Sequence, residues 1–237
     1  MGYPDLKIAV YADGANKEEM LNRYREGFAK GFTTNPTLMA KAGISDYTSF
    51  AKDVLKEIPD LPISFEVFSD DFEEMKKQAE IISSWGDNVF VKIPITNTKG
   101  EPSTNLIKDL LSRGMKLNVT AIFTQEQLDG LREVVQPNDQ VIVSIFAGRI
   151  ADTGVDPEPI MKKAVNDFSE YPGSQILWAS PREVLNIYQA EKCGCHIITV
   201  TDGLLEKLSL YGKSHDSYSL DTVKMFYDDA QKSGFAI

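Results

Sequence analysis

The chain has 237 residues, of which 42% are hydrophobic and 25% charged, and its formal net charge is -10 at pH 7. This composition is that of an ordinary globular protein, and the length fits one α/β barrel or two small domains. The acidic balance lacks the basic footprint of a nucleic-acid binder, and no stretch reaches the roughly 18 apolar residues of a membrane span. Neither nucleic acid nor membrane is therefore an expected partner.

Targeting signals and cysteines give little further information about the class of protein. The beginning of the chain shows no apolar signal core. Cys193 and Cys195 are separated by one residue, which makes no disulfide framework and offers too few ligands for a zinc site. We therefore expect a cytoplasmic protein with reduced thiols and no bound metal.

Strand-like and helical segments alternate along the whole chain. The predicted strands are 7–12, 31–34, 63–67, 89–94, 116–122, 141–146, 175–179 and 196–201. The predicted helices are 17–30, 47–58, 71–84, 104–113, 124–135, 157–170, 181–192 and 203–210. In the third of these helices Phe72, Met75 and Ala79 recur at helical spacing, while charged residues occupy the other faces.

Eight such units without a Pro/Gly-rich linker predict an α/β fold, a single (β/α)8 TIM barrel across residues 1–237. The alternative is an open doubly wound sheet, but no Gly-rich fingerprint follows the first strand, which argues against its dinucleotide-binding form. An additional C-terminal helix is predicted at about 219–233, with Leu220, Val223, Phe226 and Tyr227 on an apolar stripe. That stripe either packs on its own barrel or joins subunits.

The fourth predicted strand contains one lysine, Lys92, between Val91 and Ile93. An unpaired ammonium inside a protein is costly, and burial favours the neutral amine. A neutral amine is a nucleophile for carbonyl carbon, so Lys92 is a candidate for forming a Schiff base. The alternative is a lysine whose head group reaches solvent at the strand edge.

Polar side chains recur where the other strands end, and in a barrel these positions surround the active site. They are Asp13, Thr33, Thr34, Asn35, Glu66, Asn118, Thr120, Ser144, Arg149, Ser180 and Arg182. Each has a structural explanation when taken alone: Asp13 can cap a helix, and Glu66 can be the ion-pair partner of Lys92. Their shared position at strand ends is better explained by one site.

Three motifs among these residues are specific when taken together: Thr-Thr-Asn-Pro from Thr33, Val-Lys-Ile-Pro around Lys92 and Gly-Arg-Ile around Arg149. In these motifs, and over nearly its whole length, the chain resembles the transaldolase family, particularly the short single-domain branch that includes fructose-6-phosphate aldolases. The resemblance implies a cofactor-free barrel that moves a dihydroxyacetone unit from a ketose phosphate, such as fructose 6-phosphate or sedoheptulose 7-phosphate, to an aldose phosphate in the pentose phosphate pathway. It also implies a ring-shaped homo-oligomer such as a decamer.

The resemblance further implies a role for each site residue. Lys92 would carry the Schiff base, and Asp13 would be the acid/base for carbon–carbon cleavage. Glu66 and Thr120 would hold the water that moves protons at the Schiff base. The substrate-binding residues would be Thr33, Asn35, Asn118, Ser144, Phe146, Arg149, Ser180 and Arg182, with Arg149, Ser180 and Arg182 at the terminal phosphate.

The sequence departs from the family pattern at Gly14, at Ile145 and after Ser180, where Pro181 replaces the usual aromatic residue. The last change touches the anion pocket, so the terminal group can be phosphate or another anion such as sulfonate. A transaldolase acting on a sulfo-sugar is therefore one alternative.

Two further alternatives concern the reaction itself. The first is a fructose-6-phosphate aldolase, but that branch tends to carry Gln at the position of Glu66 and Tyr at that of Phe146, so the residues present favour the transferase. The second is a non-catalytic sugar-phosphate-binding barrel, against which a buried Lys92 argues because a pure binder has no need of it.

Overall fold

The structure is a computed structural model that describes residues 5–234. Eight parallel strands pair in chain order, and the eighth pairs with the first, which closes the sheet into a barrel. The strands are β1 (Ala9–Asp13), β2 (Gly31–Thr33), β3 (Ile63–Glu66), β4 (Val89–Pro94), β5 (Leu117–Ile122), β6 (Val141–Ile145), β7 (Ser174–Trp178) and β8 (Ile197–Thr201). The predicted (β/α)8 TIM barrel is confirmed.

Helices follow the strands and cover the outside of the barrel. They are α1 (Lys17–Glu26), α2 (Pro36–Lys41), α3 (Tyr47–Glu57), α4 (Phe72–Ser83), α5 (Thr104–Ser112), α6 (Gln125–Arg132), α7 (Ala147–Asp152), α8 (Glu158–Asp167), α9 (Leu185–Lys192), α10 (Asp202–Lys207) and α11 (His215–Ser233). Sequence analysis missed α2 and α7, each of which has six residues and follows a strand almost directly.

Three predicted helix boundaries are wrong by four residues, each for a local reason. The first helix ends at Glu26 and not at residue 30, because Gly27 takes a left-handed conformation with φ 70° and caps it. The helix predicted from 181 begins four residues later, since the Asn186 side chain accepts the backbone N–H groups of Arg182 and Glu183 in a turn. The C-terminal helix begins before residue 219, because Ser214 caps it by accepting the N–H of Ser217.

The alternation of side chains along each strand creates two cores. In β4, Val89, Val91 and Ile93 belong to the main core between the sheet and the helices, while Phe90 and Lys92 point into the barrel. The interior core is small and fills one end of the barrel. Its buried members are Tyr11, Phe90, Ile142, Leu177, Ala179 and Ile197.

Tyr11 is the largest polar-tipped side chain in this interior core. A Cβ at Gly31 would lie 2.5 Å from the Tyr11 ring, so only glycine lets the ring lie across β2. Burial raises the pKa of Tyr11 to about 12, and the phenol is therefore neutral. The other end of the barrel interior, towards the carboxyl ends of the strands, is lined by polar side chains.

The helix α11 lies outside this packing. None of its residues is buried, whereas each of the helices α1–α10 buries at least one. In residues 5–234 no helix is both long and apolar enough to cross a membrane.

Candidate active site

A cavity opens at the carboxyl ends of the strands, the end at which active sites of (β/α)8 barrels lie. It is lined by Asp13, Thr33, Asn35, Lys92, Asn118, Thr120, Ser144, Phe146, Arg149, Leu177, Ala179, Ser180 and Thr199. The cavity therefore contains the predicted catalytic and substrate-binding residues except Glu66 and Arg182. Glu66 does not line the cavity but contacts Lys92, which does.

Lys92 is buried at the centre of the site. Its Nζ lies 3.2 Å from Glu66 Oε2 and 3.1 Å from the carbonyl oxygen of Thr34. The register explains the pair, because Glu66 on β3 and Lys92 on β4 are direct cross-strand neighbours with the same inward parity. The ion pair predicted as a structural explanation is thus present, and it also supplies a carboxylate that can take a proton from the Lys92 ammonium.

Asp13 ends β1 on the other side of the cavity. Burial raises the pKa of this carboxyl, and the positive charge of Lys92 and a hydrogen bond from Thr33 act in the opposite direction. The Thr33 hydroxyl donates to Asp13 Oδ1 at 2.7 Å. Asp13 does not cap α1, since the Asn16 side chain accepts the N–H groups at the start of that helix. The Asp13 carboxyl is therefore free of a structural capping role.

Three polar residues form a hydrogen-bonded chain across the cavity floor. Ser144 Oγ donates to Asn118 Oδ1 at 2.6 Å, and Asn118 Nδ2 donates to Ser64 Oγ at 2.9 Å. Both bonds fix the orientation of the Asn118 amide, so that one N–H and the Ser144 oxygen are left for a ligand.

Thr120 offers an unused hydroxyl. Its Oγ1 is buried and has no hydrogen-bond partner among residues 5–234. The ladder between β5 and β6 is irregular here, and Ala121 has a φ of 59°, so the strand bends directly after Thr120. An unpaired hydroxyl on a bulge beside an active site fits a group that binds water or substrate.

The side-chain oxygen of Asn35 already takes part in the fold. Its Oδ1 accepts the N–H of Leu38 at 2.9 Å and caps α2, whose first residue is Pro36. The Nδ2 group remains unused by this cap, so Asn35 can donate hydrogen bonds to a ligand.

The mouth of the cavity carries a positive charge. The Arg149 guanidinium lies 5.2 Å from the centre of the Phe146 ring, in a cation–π contact that orients it. Ser180 faces it with a left-handed φ of 61°, which is unusual for a residue with a side chain. The two loops meet closely, since a Cβ at Gly148 would lie 1.6 Å from the Ser180 carbonyl oxygen.

Arg182 lies beside this mouth, bound to a carboxylate. Its Nε is 3.0 and 3.1 Å from the two oxygens of Asp152, and a second nitrogen completes a bidentate pair. The guanidinium lowers the pKa of Asp152. The charge of Arg182 is therefore compensated within the fold.

Thr199 is a cavity residue that sequence analysis missed. It is 6% exposed, and its hydroxyl is hydrogen-bonded to that of Thr33. The available signal was a polar residue at an inward position between the apolar Ile198 and Val200 of the strand Ile197–Thr201.

The chain is similar to a known protein family and to proteins of several organisms. Residues 10–237 match the family described as transaldolase/fructose-6-phosphate aldolase. A probable transaldolase of Dehalococcoides mccartyi is 36% identical over 81% of this chain and 86% of its own length. Another, of Thermoanaerobacter sp., is 32% identical over 97% of this chain and its full length.

Solved structures share the architecture at low sequence identity. The tryptophan synthase α subunit of Campylobacter jejuni superposes with a TM-score of 0.54 at 14% identity, over 84% of this chain and 88% of its own. A 2,3-dimethylmalate lyase superposes with a TM-score of 0.53 at 10% identity, over 98% of this chain and 85% of its own. At these identities the likeness concerns the fold alone.

Proposed function

Because the chain belongs to the transaldolase/fructose-6-phosphate aldolase family, we propose that it is a class I transaldolase that carries its donor as a Schiff base on Lys92. The observation that carries the proposal is the buried Lys92 amine, 3.2 Å from Glu66 and within one cavity with Asp13. The donor is a ketose phosphate such as fructose 6-phosphate or sedoheptulose 7-phosphate, and the acceptor is an aldose phosphate.

The first step is formation of the Schiff base. Glu66 accepts a proton from the Lys92 ammonium, and the neutral amine adds to the donor's C2 carbonyl. The resulting carbinolamine loses its hydroxyl as water after protonation, which leaves an iminium ion. Glu66 and the Thr120 hydroxyl, which has no partner among residues 5–234, would hold the water that carries these protons.

The second step cleaves the bond between C3 and C4. Asp13 takes the proton of the C4 hydroxyl, the aldehyde leaves, and the bonding electrons pass into the iminium to give an enamine. An acceptor aldehyde then adds to C3 while Asp13 returns the proton, and hydrolysis of the new iminium restores Lys92. The raised pKa of Asp13 suits this role, since a stronger base takes the hydroxyl proton more readily.

The remaining cavity residues hold the substrate. Asn35, Asn118 and Ser144 present hydrogen-bonding groups to the hydroxyls of the three-carbon unit. Arg149 and Ser180, at the mouth, bind the terminal anion.

Borohydride trapping tests the proposal. Reduction in the presence of fructose 6-phosphate should add a three-carbon or sugar mass to the peptide that contains Lys92, and Lys92→Arg should fold normally but show neither labelling nor turnover. Lys116 is a suitable control, because it lies on the same barrel outside the cavity. A label on another lysine, or none with any ketose, would contradict the assignment.

The same reaction separates transferase from aldolase. Phe146 lines the cavity and has no hydroxyl that could place a water for protonation of the enamine. We therefore expect rapid exchange into an acceptor aldehyde and little free dihydroxyacetone. Release as fast as transfer would favour the fructose-6-phosphate aldolase alternative.

One observation favours a second substrate class. Arg149 is at the cavity, while the charge of Arg182 is compensated by Asp152. A guanidinium such as Arg149, which forms no ion pair among residues 5–234, matches a monoanionic sulfonate better than a phosphate, which carries about -1.5 to -2 at pH 7. A transaldolase acting on a sulfo-sugar is therefore the second candidate, and reaction of a 6-sulfonate ketose but not fructose 6-phosphate would establish it.

We also propose a cytoplasmic location, which the two free, buried cysteines support.

A further inference from the structure

Two buried threonine hydroxyls lie next to the Asp13 carboxyl. Thr33 on β2 and Thr199 on β8 are 3% and 6% exposed, and they contact each other across β1, which lies between those strands. The Thr33 hydroxyl also lies 2.7 Å from Asp13 Oδ1. The three side chains form one connected line that ends at the carboxyl.

The direction of these hydrogen bonds follows from the number of protons available. An ionised carboxylate can only accept, so the single hydroxyl proton of Thr33 goes to Asp13. The Thr33 oxygen is then the acceptor in its contact with Thr199, and Thr199 must donate. The donor order is Thr199 to Thr33 to Asp13.

We propose that Thr199 is a positioning residue for the cleavage step, which acts through Thr33 to hold Asp13 in the ionised form that accepts the substrate's hydroxyl proton. The inference rests on the proposed function, in which Asp13 is the acid/base. Hydrogen bonds in a line polarise one another, so the donor behind Thr33 strengthens the bond that reaches the carboxylate. This relay opposes the effect of burial, which favours the protonated acid.

Other charged groups also face Asp13 and must stay constant in a test. They are Lys92 on β4 with its partner Glu66 on β3, Arg149 on α7, Glu19 and Arg23 on α1, and Asp202 on α10. Removing the Thr199 hydroxyl changes none of these charges. A change in the titration of Asp13 in such a variant therefore reports on the hydroxyl relay.

A purely structural explanation makes a different prediction. If the hydrogen bond between the two threonines only holds β2 and β8 together across β1, losing the Thr199 hydroxyl lowers the stability of the fold but leaves the titration of Asp13 unchanged. The pH profile therefore separates the two explanations, whereas loss of activity alone does not.

The experiment compares Thr199→Val and Thr33→Val with two controls. Thr199→Ser keeps the hydroxyl, and Thr201→Val removes one from an exposed position of the same strand that makes no capping hydrogen bond. The protonation of Asp13 is followed by infrared titration of its carboxyl band, isolated by subtracting the spectrum of the same protein with Asp13→Asn. The pH dependence of kcat for fructose 6-phosphate cleavage is measured in parallel.

We expect the midpoint of the Asp13 titration to rise by about half a pH unit, a threefold change in acidity, in Thr199→Val and by at least as much in Thr33→Val. The acidic limb of the kcat profile should move with it, and both controls should match the native protein. An unchanged midpoint in Thr199→Val would overturn the proposal. A shifted midpoint with an unshifted rate profile would support the relay and overturn the role of Asp13 in the proposed function.

Thr199→Ala provides a second hydroxyl-free variant if the valine does not fold. Failure of both to fold, with Thr199→Ser folded, would mean that the hydroxyl pair is a structural fastening and that the proposal is wrong.

Discussion

Arg149 and Arg182 show how two residues of one type, both predicted at the anion pocket, differ once their partners are known. Arg149 lies over the Phe146 ring and lines the cavity. Arg182 is held by both oxygens of Asp152. A guanidinium already paired with a carboxylate must lose that partner before it can bind a substrate anion. The free energy lost with that ion pair reduces the contribution of the guanidinium to substrate binding.

We expect Arg149→Ala to raise KM for a phosphorylated donor by about tenfold, the value of one exposed charge-assisted hydrogen bond. Arg182→Ala, the matched control, should raise it much less. Steady-state kinetics with fructose 6-phosphate and with unphosphorylated fructose measure both effects, and only the phosphorylated donor should respond. Equal losses for the two donors would mean that Arg149 is structural, and a larger effect at Arg182 would mean that it leaves Asp152 on binding.

Most of the site could be predicted at the level of single residues, because a polar side chain that points inward at the carboxyl end of a barrel strand must face the cavity there. Lys92 and Glu66 follow from strand parity and register. The Asp152 partner of Arg182 could not be predicted, since it belongs to the short helix α7, which sequence analysis missed. Thr199 was missed because a single threonine between apolar neighbours produces no periodic pattern in the sequence.

At the scale of the element, the strands were easier to predict than the helix ends. Long amphipathic helices and buried strands carry their own periodicity, whereas α2 and α7 are too short to show one. Their positions depend on tertiary contacts, such as the approach of Gly148 to the Ser180 carbonyl. Helix ends depend on caps, and Gly27 and Ser214 set two of them.

A single histidine joins two elements at the opposite end of the barrel. His196 Nδ1 accepts the N–H of Ile176 at 3.0 Å and so connects β7 with the start of β8. Nδ1 can accept only when it is unprotonated, and partial desolvation lowers the pKa of His196 below 6.5. The folded state therefore takes up this proton at a lower pH than the unfolded state does.

It follows that the contribution of His196 to stability is present above about pH 6.5 and is lost as the pH falls towards the folded-state value. We expect the native protein to lose more stability between pH 7.5 and 5.5 than His196→Asn, by about 0.5 kcal/mol or less because solvent screens a partly exposed ring. Urea unfolding at the two pH values measures the difference. His215→Asn is the control and should behave like the native protein, and equal losses in native protein and His196→Asn would contradict the prediction.

At the scale of the whole molecule, α11 is the helix that buries none of its residues within the described range 5–234. Its apolar side chains Leu220, Val223, Phe226 and Tyr227 are 53 to 64% exposed. A contiguous exposed apolar surface of this kind is typical of an interface. The alternative, in which the stripe packs on its own barrel, does not agree with this exposure.

We therefore predict that the protein is a homo-oligomer, with a ring such as a decamer as the expected form, and that α11 contributes the contact. Light scattering should give a mass several times that of the chain. Phe226→Ser, combined with Val223→Ser, should lower that mass, while Asp228→Ser, on the same helix, should not. A native protein that runs as a monomer at micromolar concentration would contradict the prediction.

The apolar core of the barrel interior, which lies beneath the cavity, has a kinetic consequence. Tyr11, Phe90, Ile142 and Ile197 fill the barrel interior below the site, and the cavity opens at the carboxyl ends of the strands. Donor and acceptor must use the same mouth, and the first aldehyde has to leave before the second can approach C3. The two half-reactions of the proposed transfer then alternate in a ping-pong order. The lifetime of the enamine between departure of the first aldehyde and arrival of the second therefore determines how much of it is lost to reaction with water.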